Sequence, residues 1–282
     1  MTNEQCIDLK RHAAHVRKMA LEAVYSAGAG HPGGSLSVAD ILTYLYLKEM
    51  RIDPQNPKAP DRDRFVLSKG HCAPALYGVL AEVGIIPKED IKTFRSIDSY
   101  LQGHPDMKKV PGVDMSTGSL GQGFSAAGGM ALCAKMDRKD YRVYTALGDG
   151  EIEEGQVWEA AMFAAHYKLD NLTAFLDFNG LQIDGDVTEV MNPTPIDKKF
   201  EAFNWHVIKI DAHDFQQIEA AVNEAKDTKG KPTLILAKSI KGKGVSFMEN
   251  QASWHGAAPN KEQYEQAVAE LDAYLANLGG AE

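Results

Sequence analysis

Cysteines and long apolar runs are scarce in this chain. Its 282 residues include three cysteines, Cys6, Cys72 and Cys133, which lie far apart and form no CxxC pair. A disulfide framework is therefore not expected, and the composition suits a reducing compartment such as the cytoplasm. Apolar runs stay well short of a membrane span, and residues 1–5 do not begin a secretory signal peptide. The sequence thus predicts a cytoplasmic protein without a membrane partner.

Basic residues are also fewer than acidic ones. The chain has 30 Lys and Arg residues against 39 Asp and Glu residues, a net charge of −9, and it has no basic block. Nucleic acids and anionic membranes are therefore disfavoured as partners. Small anions such as sugar phosphates remain compatible, because a local positive site can act against the net charge.

The hydrophobic pattern predicts an α/β fold. Strand patterns occur at residues 65–67, 142–147, 172–178, 206–210 and 233–238. Helical patterns occur at residues 5–25, 38–48, 73–82, 121–135, 156–167 and 261–278, and a Gly/Ala/Pro loop at 27–34 separates the first two. This order predicts a mostly parallel sheet with helices on both faces, formed as a single domain over residues 1–282. Ligands of such sheets bind at the carboxyl ends of the strands.

A Gly-Asp-Gly turn follows the strand pattern at 142–147. It consists of Gly148, Asp149 and Gly150, and the next strand pattern ends at Asn179. Backbone amides and a helix N-terminus at such a turn can hold phosphate. A carboxylate and an amide oxygen from two strand ends can hold a Mg²⁺ ion that bridges to that phosphate. The simpler interpretation of residues 148–150 is a tight turn that caps a helix.

Four of the nine histidines adjoin glycines in predicted loops: His31, His71, His104 and His255. Glycine lets the backbone approach a ligand closely, and imidazole suits proton transfer near neutral pH. A histidine-rich metal site is the alternative, but the spacings match no compact zinc pattern. The five remaining histidines are interpreted as structural or exposed.

These motifs together resemble a known family. Gly-Asp-Gly followed at this spacing by Asn resembles the thiamine diphosphate signature. Further segments resemble the N-terminal part of transketolase, in the family's order and nearly end to end: residues 30–33, 67–71, 103–105, 117–123 and 253–256.

The resemblance implies a metal and a cofactor with named ligands. Mg²⁺, for which Ca²⁺ or Mn²⁺ can substitute, would be held by the side chains of Asp149 and Asn179 and by the backbone carbonyl of Leu181. Thiamine diphosphate would lie against the turn of Gly148 and Gly150.

Further cofactor contacts are implied beside that turn. Gly118 and Leu120 would lie along the aminopyrimidine ring. Lys69 and Lys241 would neutralise the diphosphate, and Gln182 would contact the cofactor. The alternative for each lysine is an ordinary solvated surface position.

The resemblance also assigns roles to the histidines and to one glutamate. His31 and His104 would face the sugar hydroxyls. His71 and His255 would line the reaction centre beside the diphosphate and so contact the cofactor, and His255 and His31 would be the principal proton-transfer groups. Glu154 would lie at a subunit interface, in an acidic path between two active sites. The plainer interpretation of Glu154 is a favourable interaction with the dipole of the following helix.

A complete transketolase is much longer than this chain. The glutamate that acts on the aminopyrimidine ring and the arginines that bind the substrate phosphate belong to a following domain. We therefore expect the chain to be inactive alone, and to form a heterotetramer with a C-terminal transketolase subunit that acts on phosphorylated sugars. The alternatives are a homo-oligomer with a different activity, another thiamine diphosphate enzyme (deoxyxylulose-phosphate synthase-like or decarboxylating a 2-oxo acid), and a non-catalytic cofactor-binding partner.

Overall fold

The centre of the protein is a five-stranded sheet in which every strand pairs in parallel. The structure is a computed structural model that describes residues 1–278. The strands are β1 (Arg64–Leu67), β2 (Val143–Gly148), β3 (Leu172–Phe178), β4 (Leu181–Gln182), β5 (Gly185–Asp186), β6 (His206–Asp211) and β7 (Thr233–Lys238). The sheet order is β1-β2-β3-β7-β6, and β4 and β5 form a separate antiparallel hairpin.

Helices precede, separate and follow the strands along the chain. They are α1 (Asn3–Ala27), α2 (Pro32–Tyr44), α3 (Ala73–Glu82), α4 (Gln122–Met136), α5 (Gly155–His166), α6 (Val187–Val190), α7 (Ile196–Ala202), α8 (Phe215–Asp227) and α9 (Lys261–Leu278). A π-helical turn at Leu45–Glu49 extends α2. Within residues 1–278, no helix is both long and apolar enough to cross a membrane.

Both faces of the sheet are covered. Phe65 and Phe175 pack into one core with α1, α2, α3 and α8. Val66 and Leu176, their neighbours along the same strands, pack into a second core with α4, α5 and α7. Successive residues of a strand point to opposite faces, so a strand that is buried on both sides appears as a continuous apolar run. The predicted fold class, a mostly parallel sheet with helices on both faces, is confirmed.

The start of α2 differs from the sequence prediction. We expected a loop over residues 27–34 and a helix from residue 38, whereas α2 begins at Pro32. Proline is favoured at the first helical position, where its missing N–H has no intrahelical partner to lose. Every residue of α2 is buried. A fully buried helix has no polar face, so the sequence shows no periodic pattern from which its first residue could be predicted.

The strand ends bring the Gly-Asp-Gly turn and Asn179 to one place. β2 pairs in parallel with β3, with Gly148 opposite Asp177. Asp149 and Asn179 therefore leave the sheet at the same edge, each directly after the last residue of its strand. A smaller apolar cluster places the segment 245–248 against α1, α2 and α9. This packing supports the loop that carries Lys241 and His255.

Candidate active site

A cavity of about 220 Å³ opens at the carboxyl edge of the sheet. Most of the predicted site residues line it: His31, Lys69, His71, Gly118, Leu120, Gly148, Asp149, Gly150, Asn179, Leu181, Gln182, Lys241 and His255. Two predicted residues, His104 and Glu154, lie outside this lining. The sequence segments that suggested a cofactor site are thus brought together by the fold.

The carboxylate of Asp149 lies inside the loop that Asn179 begins. Its two oxygens accept hydrogen bonds from the backbone amides of Gly150 at 3.0 Å and Gly180 at 2.6 Å. The side-chain oxygen of Asn179 accepts from the amide of Leu181 at 3.1 Å. Neighbouring parts of the backbone therefore hold both predicted side-chain ligands in place. Carboxylate and amide oxygens suit Mg²⁺.

The electrostatics of Asp149 also suit a cation. The residue is 3% exposed. Burial, together with the nearby charge of Asp177, raises the pKa of Asp149 to about 6. A divalent cation beside the carboxylate would offset that penalty, because an opposite charge favours the ionised form.

The predicted third ligand, the carbonyl of Leu181, has a partner already. It accepts a hydrogen bond from Nζ of Lys241 at 3.1 Å, and the same Nζ lies 3.1 Å from Nδ1 of His255. The carbonyl keeps a second lone pair for a metal ion, but the ion and the ammonium group would repel each other there. An anion in the cavity would attract the ammonium away from that oxygen.

Lys241 is a cation buried beside the cavity. It is 2% exposed, and no described carboxylate lies within ion-pair distance of its ammonium group. Burial, with the charge of Lys69 nearby, lowers the pKa of Lys241. Gly242 fixes its place: the glycine has φ +76°, and a Cβ there would meet the Met248 carbonyl at 2.3 Å. An anionic ligand would supply the missing charge.

The other predicted cation, Lys69, has a different environment. Its ammonium group forms a buried ion pair with Asp177, the residue opposite Gly148, and lies 3.3 Å from the Gly34 carbonyl. Burial opposes the charge of Lys69, but the attraction of Asp177 outweighs it and raises the pKa of the lysine. Lys69 already has its counter-charge, so its contacts favour a role in neutralising Asp177 over the predicted role toward diphosphate.

Three histidines from distant parts of the chain form one cluster. The ring centroids of His31, His71 and His255 lie 5.2 to 5.3 Å from one another. Burial and neighbouring cations lower the pKa of His31 to about 4 and that of His255 to about 3, and they lower the pKa of His71 well below its usual range. All three rings are therefore neutral at pH 7. Nδ1 of His31 is buried and has no hydrogen-bond partner in the described part of the chain, so a ligand that satisfies it is favoured.

His104 lies at the rim of the cluster. Its ring centroid is 6.5 Å from that of His31, and its side chain is exposed. Gly118 adopts φ +150°, and a Cβ there would lie 3.0 Å from the His104 ring. A side chain at position 118 would therefore push the imidazole away from the cavity.

Comparison with known proteins identifies the family. The thiamine diphosphate-binding domain of transketolase matches residues 9–273. The chain belongs to the transketolase family. It is 50% identical over 270 residues to the 6-deoxy-6-sulfo-D-fructose transketolase subunit SqwG of a Clostridium species, covering 96% of this chain and 98% of that protein. It is 45% identical over 262 residues to one of the subunits of the apulose-4-phosphate transketolase of Phocaeicola vulgatus, covering 93% of each.

Longer transketolases match this chain over less than half of their length. Human transketolase is 44% identical over 265 residues, which are 93% of this chain and 42% of the human protein. The crystal structure of Campylobacter jejuni transketolase superposes with a TM-score of 0.87 at 33% identity, covering 99% of this chain and 48% of the other. The predicted resemblance to the N-terminal part of transketolase is thus confirmed.

One residue of this transketolase domain was missed by the sequence reasoning. Glu151 lines the cavity, is 2% exposed, and accepts hydrogen bonds from the Ser68 hydroxyl and from the amides of Gly121 at 2.9 Å and Gly148 at 3.0 Å. It ties the Gly-Asp-Gly turn to two neighbouring loops. An acidic residue at the start of a helix ordinarily indicates only a dipole effect, so the sequence carries no signal of this burial.

Gln182 lies at the wall of the cavity, and Glu154 lies outside it. Gln182 donates a hydrogen bond from Nε2 to Glu153 at 2.9 Å. Its amide is thus oriented by an acidic neighbour at the cavity wall. Glu154 precedes α5, is exposed, and forms no side-chain cap. Its predicted role at a subunit interface remains a prediction.

Proposed function

We propose that this chain is the cofactor-binding subunit of a split transketolase. With a partner subunit that carries the C-terminal half, it would transfer a two-carbon ketol unit from a ketose phosphate to an aldose phosphate. The observation that carries this proposal is the cavity itself. It combines a buried carboxylate suited to a cation, an unpaired buried ammonium suited to an anion, and neutral imidazoles.

The cofactor would be thiamine diphosphate with Mg²⁺, for which Ca²⁺ or Mn²⁺ can substitute. Asp149, Asn179 and the carbonyl of Leu181 would hold the ion, and Lys241 would face the diphosphate charge. The backbone of the turn at residues 148–150 would line the diphosphate, and Gly118 would lie beside the aminopyrimidine. When bound, thiamine diphosphate supplies a carbanion that adds to a ketone carbonyl.

The neutral histidines would handle the protons of the sugar. Nδ1 of His31 has no described partner, so this ring can accept a proton from a substrate hydroxyl and return it. Nδ1 of His255 faces the ammonium of Lys241 and could accept a proton in the same way once that ammonium turns to the diphosphate. His71 packs against both rings and would keep them in position. His104, at the exposed rim, would meet the more distant hydroxyls.

A partner subunit is supported by the two relatives named as subunits, which this chain matches over nearly their whole length. The exposed Glu154 at the start of α5 would lie at an interface of the assembly. We propose a heterotetramer with two copies of each subunit, located in the cytoplasm, in which residues 1–282 form one domain.

The decisive test combines the purified chain with candidate C-terminal subunits and measures ketol transfer between sugar phosphates. Activity is expected only in the mixture. Full activity of the isolated chain would overturn the split-enzyme proposal, and release of carbon dioxide from pyruvate would favour a decarboxylating enzyme. Binding of thiamine diphosphate and Mg²⁺ in calorimetry, without activity in any mixture, would favour a non-catalytic cofactor-binding partner.

His255→Ala tests the proton-transfer role in the active mixture. Turnover should fall by about 10²- to 10⁴-fold, the usual contribution of a positioned acid or base, while cofactor affinity changes little. His206→Ala is the matched control, because His206 lies on β6 and contacts Glu224 instead of the cavity. Equal losses of turnover and cofactor affinity in His255→Ala would contradict the assigned role.

A further inference from the structure

A second cluster of metal-ligating side chains lies between α1 and α3. His12 and His15 are one helical turn apart on α1, and Glu82 is the last residue of α3. Nδ1 of His12 lies 2.6 Å from Oε1 of Glu82, and Nδ1 of His15 lies 2.9 Å from the same oxygen. We call these three residues the α1–α3 cluster. Their ligand atoms all lie within 4.8 Å of one another.

The α1–α3 cluster is separate from the transketolase cavity. Glu82 ends a helix whose first residue, Ala73, follows His71 closely. The ten residues of α3 place Glu82 roughly 14 Å along the helix axis from Ala73. None of the three residues of the cluster lines the cavity. A function for the cluster therefore does not follow from the proposed reaction.

We propose that the α1–α3 cluster binds a divalent transition-metal ion of the zinc class. Two imidazole nitrogens and one carboxylate oxygen are a donor set that such ions accept, with a fourth position left for water. Tetrahedral zinc bonds of about 2.0–2.2 Å place donor atoms roughly 3.4 Å apart. The distances from Oε1 of Glu82 to the two imidazole nitrogens, 2.6 and 2.9 Å, need to grow by less than 1 Å for that geometry. The His12 and His15 side chains are 30% and 45% exposed, so they have room for this movement.

Two charged residues flank the ligands. Oδ2 of Asp8 lies 3.7 Å from Nε2 of His12, the ring nitrogen that does not face Glu82. A carboxylate hydrogen-bonded to the distal nitrogen orients a metal-ligating histidine and strengthens it as a ligand. The exposed Asp8 side chain needs to approach by less than 1 Å to form that bond. The ammonium of Lys88 lies 2.6 Å from Oε2 of Glu82, which leaves Oε1 for the ion. The Glu82 side chain is 3% exposed, so its direction is set by packing.

The site is tested by zinc binding to the metal-stripped full chain in the presence of Mg²⁺. Titration calorimetry with Zn²⁺ should show one binding event that the double variant His12→Ala/His15→Ala lacks. Co²⁺ should give the visible absorption of a tetrahedral site in the parent chain and not in the variant. Any metal bound by the cavity histidines appears equally in both proteins, so the difference isolates the α1–α3 cluster.

Two further variants complete the design. His206→Ala removes an imidazole that contacts Glu224 at 2.7 Å, a single histidine–carboxylate pair, and should leave zinc binding unchanged. His15→Ala alone should weaken the binding by at least roughly a hundredfold, more than the loss of an outer partner usually causes. Melting curves in chelator check that the variants fold. Zn²⁺ should raise the melting temperature of the parent chain and of His206→Ala, and not that of the double variant. Zinc binding by the double variant with the stoichiometry and affinity of the parent chain, or no zinc binding by the parent chain, would overturn the proposal.

Discussion

Replacing Asp149 by Asn tests the candidate magnesium ligand without an activity assay. Burial and the charge of Asp177 raise the pKa of Asp149 from 3.8 to about 6, so the folded chain binds this proton more tightly than the unfolded chain does. Ionisation of Asp149 then opposes folding. The penalty is absent below about pH 4, grows as the pH rises towards about 6, and is constant above that.

The two pKa values set the size of the effect. The difference between 3.8 and about 6 corresponds to about 3 kcal/mol at neutral pH. The two carboxylate oxygens of Asp149 accept hydrogen bonds from the amides of Gly150 and Gly180. Asn has one oxygen, so its NH₂ group would face one of these amides and could not accept its hydrogen bond. Leaving that amide unpaired costs about 1–3 kcal/mol. The metal-free Asp149→Asn chain should therefore be at least as stable as the parent chain, by up to about 2 kcal/mol.

Urea denaturation of the metal-free proteins between about pH 4 and pH 8 measures this difference. The free energies of unfolding of the parent and the variant should diverge as the pH rises, because only the parent chain has an ionisable group at position 149. Asp184→Asn is the matched control: Asp184 is exposed in the loop after Asn179, and its replacement should change stability by less than about 0.5 kcal/mol. Calorimetry should show that Asp149→Asn no longer binds thiamine diphosphate with Mg²⁺. A variant less stable than the parent at neutral pH, or with a parallel pH dependence, would refute the reasoning.

Two further predictions concern the buried lysines. Asp177→Asn leaves the ammonium of Lys69 buried without its counter-charge. The free energy of unfolding, measured in urea, should therefore fall by about 3–5 kcal/mol. A loss below about 1 kcal/mol would show that the ion pair does not stabilise the fold. Lys241→Met removes an unpaired buried charge, so the apo chain should remain at least as stable while calorimetry shows at least about tenfold weaker diphosphate binding. Lys243→Met, two residues away and beside Glu249, is the control, and an unchanged affinity in Lys241→Met would contradict the assignment.

Local patterns in the sequence were enough to predict the strands of the sheet and to identify the first candidate residues of the site. The bounds of β3, β7, α3 and α9 follow from apolar periodicity and from the glycines and prolines around them. The Gly-Asp-Gly turn and Asn179 could be placed at strand ends because both follow directly after apolar runs. These features depend on residues that are close in the chain, which a sequence displays in order.

The tertiary structure decided which of these residues meet, and in what electrostatic state. It inserted β7 between β3 and β6, and it placed β2 beside β3 so that Asp149 reaches the loop of Asn179. It also paired Lys69 with Asp177, whereas Lys241 has no carboxylate partner among residues 1–278, although both lysines adjoin glycines in similar sequence contexts.

The sequence alone thus determined the fold class, the family and the set of candidate site residues. Only the folded chain decided that Glu151 is buried, that α2 begins at Pro32, and that three loop histidines share one neutral cluster. The physical reason is the range of the interactions. Helix and strand patterns arise from neighbours along the chain, whereas burial and charge pairing depend on groups that are distant in sequence and adjacent only after folding.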